Sequence, residues 1–274
     1  MTTLTVRRLL IDLDAPFERQ WNGGDAFRTA FFNALSMSFP AGEQFFIDAV
    51  RAGVKALPAD RQDRFASEVQ GFVGQEATHR RVHALFNGHL ARQGYANTWE
   101  GRILQRQRRL EGVDPRHAVG ITAATEHFTA IFAEHLLTHP QVLEGAEPRL
   151  CTLWQWHSAE ESEHRSTAFD LYRELGGNEL WRRRWMRVVT LFFITDLLRQ
   201  TLRNLWHDGA LLRWGTWRSA TATLFGNDGI ARRAYRPWRA YLRADFHPAN
   251  QGGDLGAQWL RDNASRVAAV GIDS

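Results

Sequence analysis

Two segments of this 274-residue chain carry a glutamate and a histidine three positions apart, Glu76-Ala77-Thr78-His79 and Glu161-Ser162-Glu163-His164. On a helix that spacing puts both side chains on one face, one turn apart. Glu43 and Glu126 are single glutamates set inside otherwise apolar helical patterns. A buried carboxylate without a counter-charge costs several kcal/mol, so four of them converging on one core require a strong shared cation. Two Glu-x-x-His helices and two single-Glu helices make the donor set of the di-iron and di-manganese carboxylate bundles. Four carboxylates and two divalent ions sum to zero charge, which allows such a site to be buried.

His157 precedes Glu161 by four residues and His164 by seven, so this stretch reads His-x-x-x-Glu-x-x-His along one face. A third imidazole among carboxylates favours iron or manganese. His157 also fits a second role, that of a histidine one turn away that orients a ligand. Glu160 and Glu161 lie about equally far from the line joining His157 to His164 at about 100° per residue, so periodicity does not choose between them. The match to the earlier Glu-x-x-His pair favours Glu161 as the ligand and leaves Glu160 as an outer partner or a base. His83 extends the His79 stripe by one turn and reads as a hydrogen-bonded core histidine near the site. His127, Glu134 and His135 fall off the ligand face and read as surface or packing residues.

Four helices must position these groups. The first pattern runs from about Asp25 to Val54, and Pro40 inside it predicts a short helix, a break near Ser38 to Pro40, and a new helix with Glu43 in or near its first turn. The second helix is expected from Pro58-Ala59-Asp60 to about Arg92, stopped by Gln93-Gly94, with Phe65, Phe72, Glu76, His79, His83 and Phe86 on its buried stripe. The third starts at Asp114-Pro115 and ends near Thr138, burying Val119, Thr122, Glu126, Ala130 and Ala133. The fourth runs from Glu147-Pro148 to Gly176-Gly177, with Leu150, Trp154, His157, Glu161, His164 and Ala168 on one face. The expected fold is all-α: a ferritin-like four-helix bundle over residues 1–177, with additional C-terminal helices in residues 178–274 packed on it.

Composition narrows the partners. One cysteine, Cys151, excludes an internal disulfide and a Cys-rich zinc site and points to a reducing compartment. The N-terminus does not read as a signal peptide, and the longest apolar run, Val188 to Thr195, is too short to span a bilayer. The net charge of +4 is uneven, since residues 178–250 hold 13 basic and 5 acidic side chains together with six of the eleven tryptophans. All 34 basic residues but Lys55 are arginine, a compositional bias that predicts no nucleic-acid partner.

The segments SMSFPAGEQFF, QEATHRRVH, ATEHFTAIFAEHLL and WHSAEESEHRSTAFDLY resemble the bacterial family known as "predicted metal-dependent hydrolase", over nearly the whole chain. The order Glu, Glu-x-x-His, Glu, His-x-x-x-Glu-x-x-His is similar to that of the p-aminobenzoate N-oxygenase type of di-iron enzyme. That resemblance implies Glu43, Glu76, His79, Glu126, His157, Glu161 and His164 as seven metal ligands. It is confined to the ligand pattern, so the arylamine substrate does not carry over.

In residues 178–250, the expected first helix sets Leu180, Trp185, Val188, Val189, Phe192, Leu197 and Leu198 on an apolar face, opposite Arg182, Arg183, Arg184, Arg187 and Arg203. It would pack on the bundle or lie in a membrane interface. Shorter helices follow, and the end from Ala249 is expected to be loose apart from a helix near Gln258 to Val270.

These readings lead to a cytoplasmic non-haem enzyme with two iron ions, or manganese or mixed Mn/Fe, that uses dioxygen to oxidise a small apolar substrate. An external electron donor is required. The alternative is a binuclear hydrolase with Glu160 as base, and a further one is a non-catalytic metal-binding protein. A homodimer and peripheral contact with the inner face of a membrane through residues 178–250 complete the expected partners.

Overall fold

A computed structural model describes residues 4–270, and nearly all of its regular structure is helical. The four helices expected to form the bundle are α1 (Ala26–Lys55), α2 (Ala59–Arg92), α4 (Pro115–Thr138) and α5 (Pro148–His164), with α3 (Trp99–Arg108) between α2 and α4 and α6 (Thr167–Glu174) after α5. Then come α7 (Glu179–His207), α8 (Trp214–Phe225), α9 (Ile230–Tyr241) and α10 (Leu255–Asp262). The architecture is an all-α bundle in which α1 packs on α2 and α4, and α4 packs on α5 and α6. α7 lies against α1 and α4.

Local chemistry sets the boundaries. The Asp25 carboxylate accepts from the Arg28 N–H, Asp114 from Arg116 and Asn178 from Trp181, so α1, α4 and α7 each begin on a side-chain cap. Pro115 and Pro148 occupy first turns, where their missing N–H costs nothing. Gly94, at φ +89°, ends α2 in a conformation that side chains with a Cβ rarely adopt. Two apolar clusters form the core, one around Trp21, Phe32, Phe86 and Trp154 and the other around Phe46, Phe72, Val119 and Tyr172.

The expected break at Pro40 does not occur. α1 runs through it as one 30-residue helix, because the hydrogen bond that proline removes is replaced from another helix. Pro40 leaves the Ser36 carbonyl without its helical partner, and Asn87 Nδ2 of α2 donates to that oxygen at 2.9 Å. Asn87→Ala therefore leaves a buried carbonyl unsatisfied and is expected to lower unfolding free energy by about 1–3 kcal/mol in urea denaturation. An unchanged midpoint and slope would show that the contact contributes nothing.

Three further expectations are corrected. The fourth helix stops at His164 and resumes as α6 at Thr167, with tertiary bonds on either side: Arg165 donates to the Gln251 carbonyl and Thr167 to Glu68. The helix expected near Gln258 to Val270 ends at Asp262, as α10, and the chain then forms β2 (Val267–Ala269), which pairs antiparallel with β1 (Arg7–Leu9), Arg7 opposite Ala269; residues 271–274 of the end expected to be loose lie outside the described residues. On α7, Val189 is buried as expected, but it shares the buried face with Arg182, Met186 and Asp196, whereas Leu180 and Leu198 are exposed. Arg182 can be buried because Glu179 neutralises it and the Tyr241 and Arg243 carbonyls accept its N–H groups.

Candidate metal centre

Helices α1, α2, α4 and α5 bring their ionisable residues together in the middle of the bundle. Glu43 comes from α1; Glu76, His79 and His83 from α2; Glu126 from α4; His157, Glu160, Glu161 and His164 from α5; and all nine are buried. One atom each of Glu76, His79, Glu161 and His164 lies within 4.8 Å of the others, and Glu43, His83 and His157 form a second such group. The groups adjoin, since the His79 and His157 rings are 4.3 Å apart and His157 Nε2 is 2.9 Å from Glu161 Oε1. Glu126 stands beside the first group, with its Oε2 accepting from His164 Nδ1 at 2.9 Å.

The outward nitrogen of each imidazole is held by a partner. His79 Nε2 donates to Glu160 Oε2 at 3.0 Å, and Arg7 donates to the other Glu160 oxygen at 3.1 Å. Glu160 is thus turned away from Glu161, which joins the cluster. A polar chain fixes His157. Asn87 gives its Nδ2 proton to the Ser36 carbonyl, so its Oδ1 accepts the Ser36 hydroxyl proton at 2.8 Å. The Ser36 oxygen then accepts from His83 Nδ1 at 2.9 Å, and His83 Nε2 accepts from His157 Nδ1 at 2.7 Å. That leaves the His157 Nε2 lone pair facing Glu161 and, at 3.9 Å, Glu43. Two acceptors facing one another are the arrangement that a cation relieves.

Unpartnered atoms test the fit independently. Both oxygens of Glu43 and of Glu76, Oε1 of Glu126, Oε2 of Glu161, Nδ1 of His79 and Nε2 of His164 are buried without a hydrogen-bond partner. Buried polar atoms are normally paired. So many orphans in one place, all oxygen or imidazole nitrogen, suit two hard or borderline divalent ions. Aromatic edges keep the site dry: Phe72 meets His164, Trp156 meets His79 and Phe39 meets His157 at centroid distances of 5.0, 5.0 and 4.9 Å.

Without metal the cluster holds protons. Burial pushes the Glu43 and Glu76 carboxyls far above the usual range, with neighbouring carboxylates adding to the effect. Burial also lifts Glu126, opposed by His164, to about 7. Glu161 goes the other way: burial opposes its charge, but His164, His157 and His79 hold it well below the carboxylate range. Burial likewise opposes the charge of His79, yet Glu160 and Glu161 raise it to about 10. His164 is raised against the same burial by Glu126 and Glu161. Burial and the charge on His79 push His157 down to about 4.

Sequence reasoning gave no sign of Arg7, which reaches Glu160 from a three-residue strand. His83 is the hydrogen-bonded core histidine that its one-turn spacing from His79 implied, and the structure adds that it stands in one group with Glu43 and His157. His127 and His135 are buried packing residues; His127 Nε2 donates to the Pro237 carbonyl and its ring stacks on Tyr241.

A pocket of about 310 Å³ opens beside the second group, between α1, α3, α4 and α7. Phe46, Trp99, Ile103 and Val188 are among its walls, and Glu43, His157 and Glu161 line the end at the cluster. No helix among the described residues is long and apolar enough to cross a membrane.

Fold and site together define a helical-bundle protein with adjoining buried groups of histidine and glutamate that could hold two metal ions. The chain belongs to the family described as "Predicted metal-dependent hydrolase", whose sequence model matches residues 5–252. Neither the curated proteins nor the solved structures give a match to this chain.

Proposed function

We propose that this chain is a binuclear metal enzyme that uses dioxygen to oxidise a small, largely apolar substrate. The observation that carries this reading is the apolar pocket ending on Glu43, His157 and Glu161. Glu43, Glu76, His79, Glu126, His157, Glu161 and His164 would hold two iron ions, with manganese or a mixed pair as the alternatives. Such a pair supplies the electrons that activate dioxygen, and an external donor restores them. The protein's part is to keep the imidazoles in place through Glu160, His83 and Ser36, to exclude water with Phe39, Phe72 and Trp156, and to align the substrate along the pocket.

The family description favours a second reading, hydrolysis by a metal-acidified water, and says nothing of dioxygen. In that reading a free carboxylate serves as the base for the metal-bound water. Glu160, the free carboxylate nominated for that role, is bonded to His79 and Arg7 and does not line the pocket.

Elemental analysis of the purified chain, followed by oxygen-electrode and ester- and amide-cleavage assays, separates the two. Two irons per chain with oxygen uptake that depends on an apolar substrate is the expected result. Zinc or manganese with metal-dependent cleavage under anaerobic conditions would replace it with the hydrolase.

A further inference from the structure

The outward face of α7 is apolar. Leu191, Ile194, Leu198 and Trp206 fall within about a third of the helix circumference, and each is more than half exposed. Arg184 and Arg187 continue the same arc toward the N-terminus of α7. Leu212 and Trp214, in the turn into α8 and at its first residue, are 90% and 82% exposed. Isolated exposed apolar residues need no explanation, but a continuous stripe marks a contact surface.

The stripe opens into a cavity. Ile194 and Leu198 also line a groove of about 560 Å³, completed by Phe31, Phe132, Leu224, Ile230 and Trp238, among others, with no charged side chain in its lining. That volume lies within the range of small-molecule sites, about 300–1,000 Å³. Phe193 lines both this groove and the pocket at the metal centre, and it stacks on Phe128 at 5.3 Å. One ring therefore belongs to the walls of both spaces.

The charge around this face is unbalanced. Every acid of residues 178–250 is already paired: Glu179 with Arg182, Asp196 with Arg102 and Arg106, Asp208 with Arg19, Asp228 with Arg233 and Asp245 with Arg243. Arg184, Arg187, Arg203, Arg232, Arg236 and Arg239 are exposed and have no acidic partner among the described residues. On α9, Arg232, Arg236 and Arg239 each follow by one residue a groove-lining side chain, Ala231, Tyr235 and Trp238.

We propose that the α7–α8–α9 face docks on an anionic lipid bilayer and that its groove takes an acyl chain of a membrane lipid. Apolar and tryptophan side chains flanked by unpaired arginines match the acyl and phosphate levels of such a surface. A second copy of the chain fits less well, since a two-fold contact would set these arginines against themselves. A free fatty acid in the groove would leave Trp206, Leu212 and Trp214 uncovered. That the acyl chain is also the metal centre's substrate, entering past Phe193, rests on the proposed function; docking on the membrane does not.

Sedimentation with vesicles of phosphatidylcholine, alone or mixed with phosphatidylglycerol, tests the docking, using metal-loaded and chelated protein. Binding to the mixed vesicles only, in both metal states, is the expected result. Arg232→Gln with Arg236→Gln should weaken it about thirtyfold, and Ile194→Asp with Leu198→Asp should abolish it while circular dichroism is unchanged. Binding of cis-parinaric acid, read by its fluorescence, should be lost in Ala231→Trp, which fills the groove. Equal binding to both vesicle types, insensitivity to the arginine changes, or a dimer that Ile194→Asp with Leu198→Asp dissociates would overturn the docking. Parinarate bound equally by Ala231→Trp would overturn the acyl occupant. Vesicle binding by a chain that shows neither iron nor oxygen uptake would leave the docking standing and remove only the oxidative reading.

Discussion

Glu161→Ala is expected to abolish stoichiometric metal binding at both positions, whereas Glu76→Ala or His164→Ala removes one ion and leaves the other. Glu161 belongs to the group formed with Glu76, His79 and His164, and the same oxygen that faces His157 Nε2 of the second group at 2.9 Å lies 3.5 Å from His79 Nδ1 and 3.8 Å from His164 Nε2. Taking roughly 12 kcal/mol for a four-ligand site, each ligand contributes about 3 kcal/mol, so one loss weakens an ion by a hundredfold or more. The helices should survive. The apolar clusters around Phe32 and Phe46 remain, and Glu76, whose two oxygens are buried without a partner, relieves a desolvation cost of the metal-free chain when it is removed. Inductively coupled plasma analysis of the three variants, alongside circular dichroism, checks this. Two ions retained by Glu161→Ala would sink the assignment.

What the sequence made legible followed from periodicity and from caps. The α2 stripe from Phe65 through Glu76, His79 and His83 to Phe86 is buried as its spacing required, and α4 starts and stops at the expected residues. Readings failed where the deciding partner is remote in sequence. Pro40 is tolerated because Asn87 of the next helix supplies the missing donor, and no window around Pro40 contains that information. Arg182 is buried through carbonyls about 60 residues away, so a hydrophobicity stripe placed it on the wrong face of α7. Glu160 and Glu161 are separated only by Arg7 and His79, whose positions depend on the pairing of the two chain ends and on the packing of α2 against α5. Strands of three residues are too short for alternation to register.

Metal uptake is expected to release protons and to strengthen steeply with pH. In the metal-free chain, burial keeps Glu43 and Glu76 protonated well above the ordinary carboxylate range, and neighbouring carboxylates keep His164 and His79 protonated, His79 up to about 10. A metal ligand must be deprotonated, so protons compete with the ion: apparent affinity falls as pH drops and rises as it climbs through Glu126 at about 7 toward His79 at about 10. One released proton makes the affinity tenfold stronger per pH unit, so His79 alone gives about a hundredfold between roughly pH 6 and 8, and the other groups steepen it. Chelator competition at several pH values measures the slope, and titration calorimetry in two buffers counts the protons. His157 supplies the internal contrast. Burial and the His79 charge hold it neutral down to about 4, and the Asn87–Ser36–His83 chain places its proton on Nδ1, away from Glu161. His157→Gln should therefore weaken metal binding without changing the proton count near neutral pH, whereas His79→Gln should weaken binding and lower the count. A slope near zero, or equal counts in the two variants, would mean that the ion binds somewhere other than among these residues.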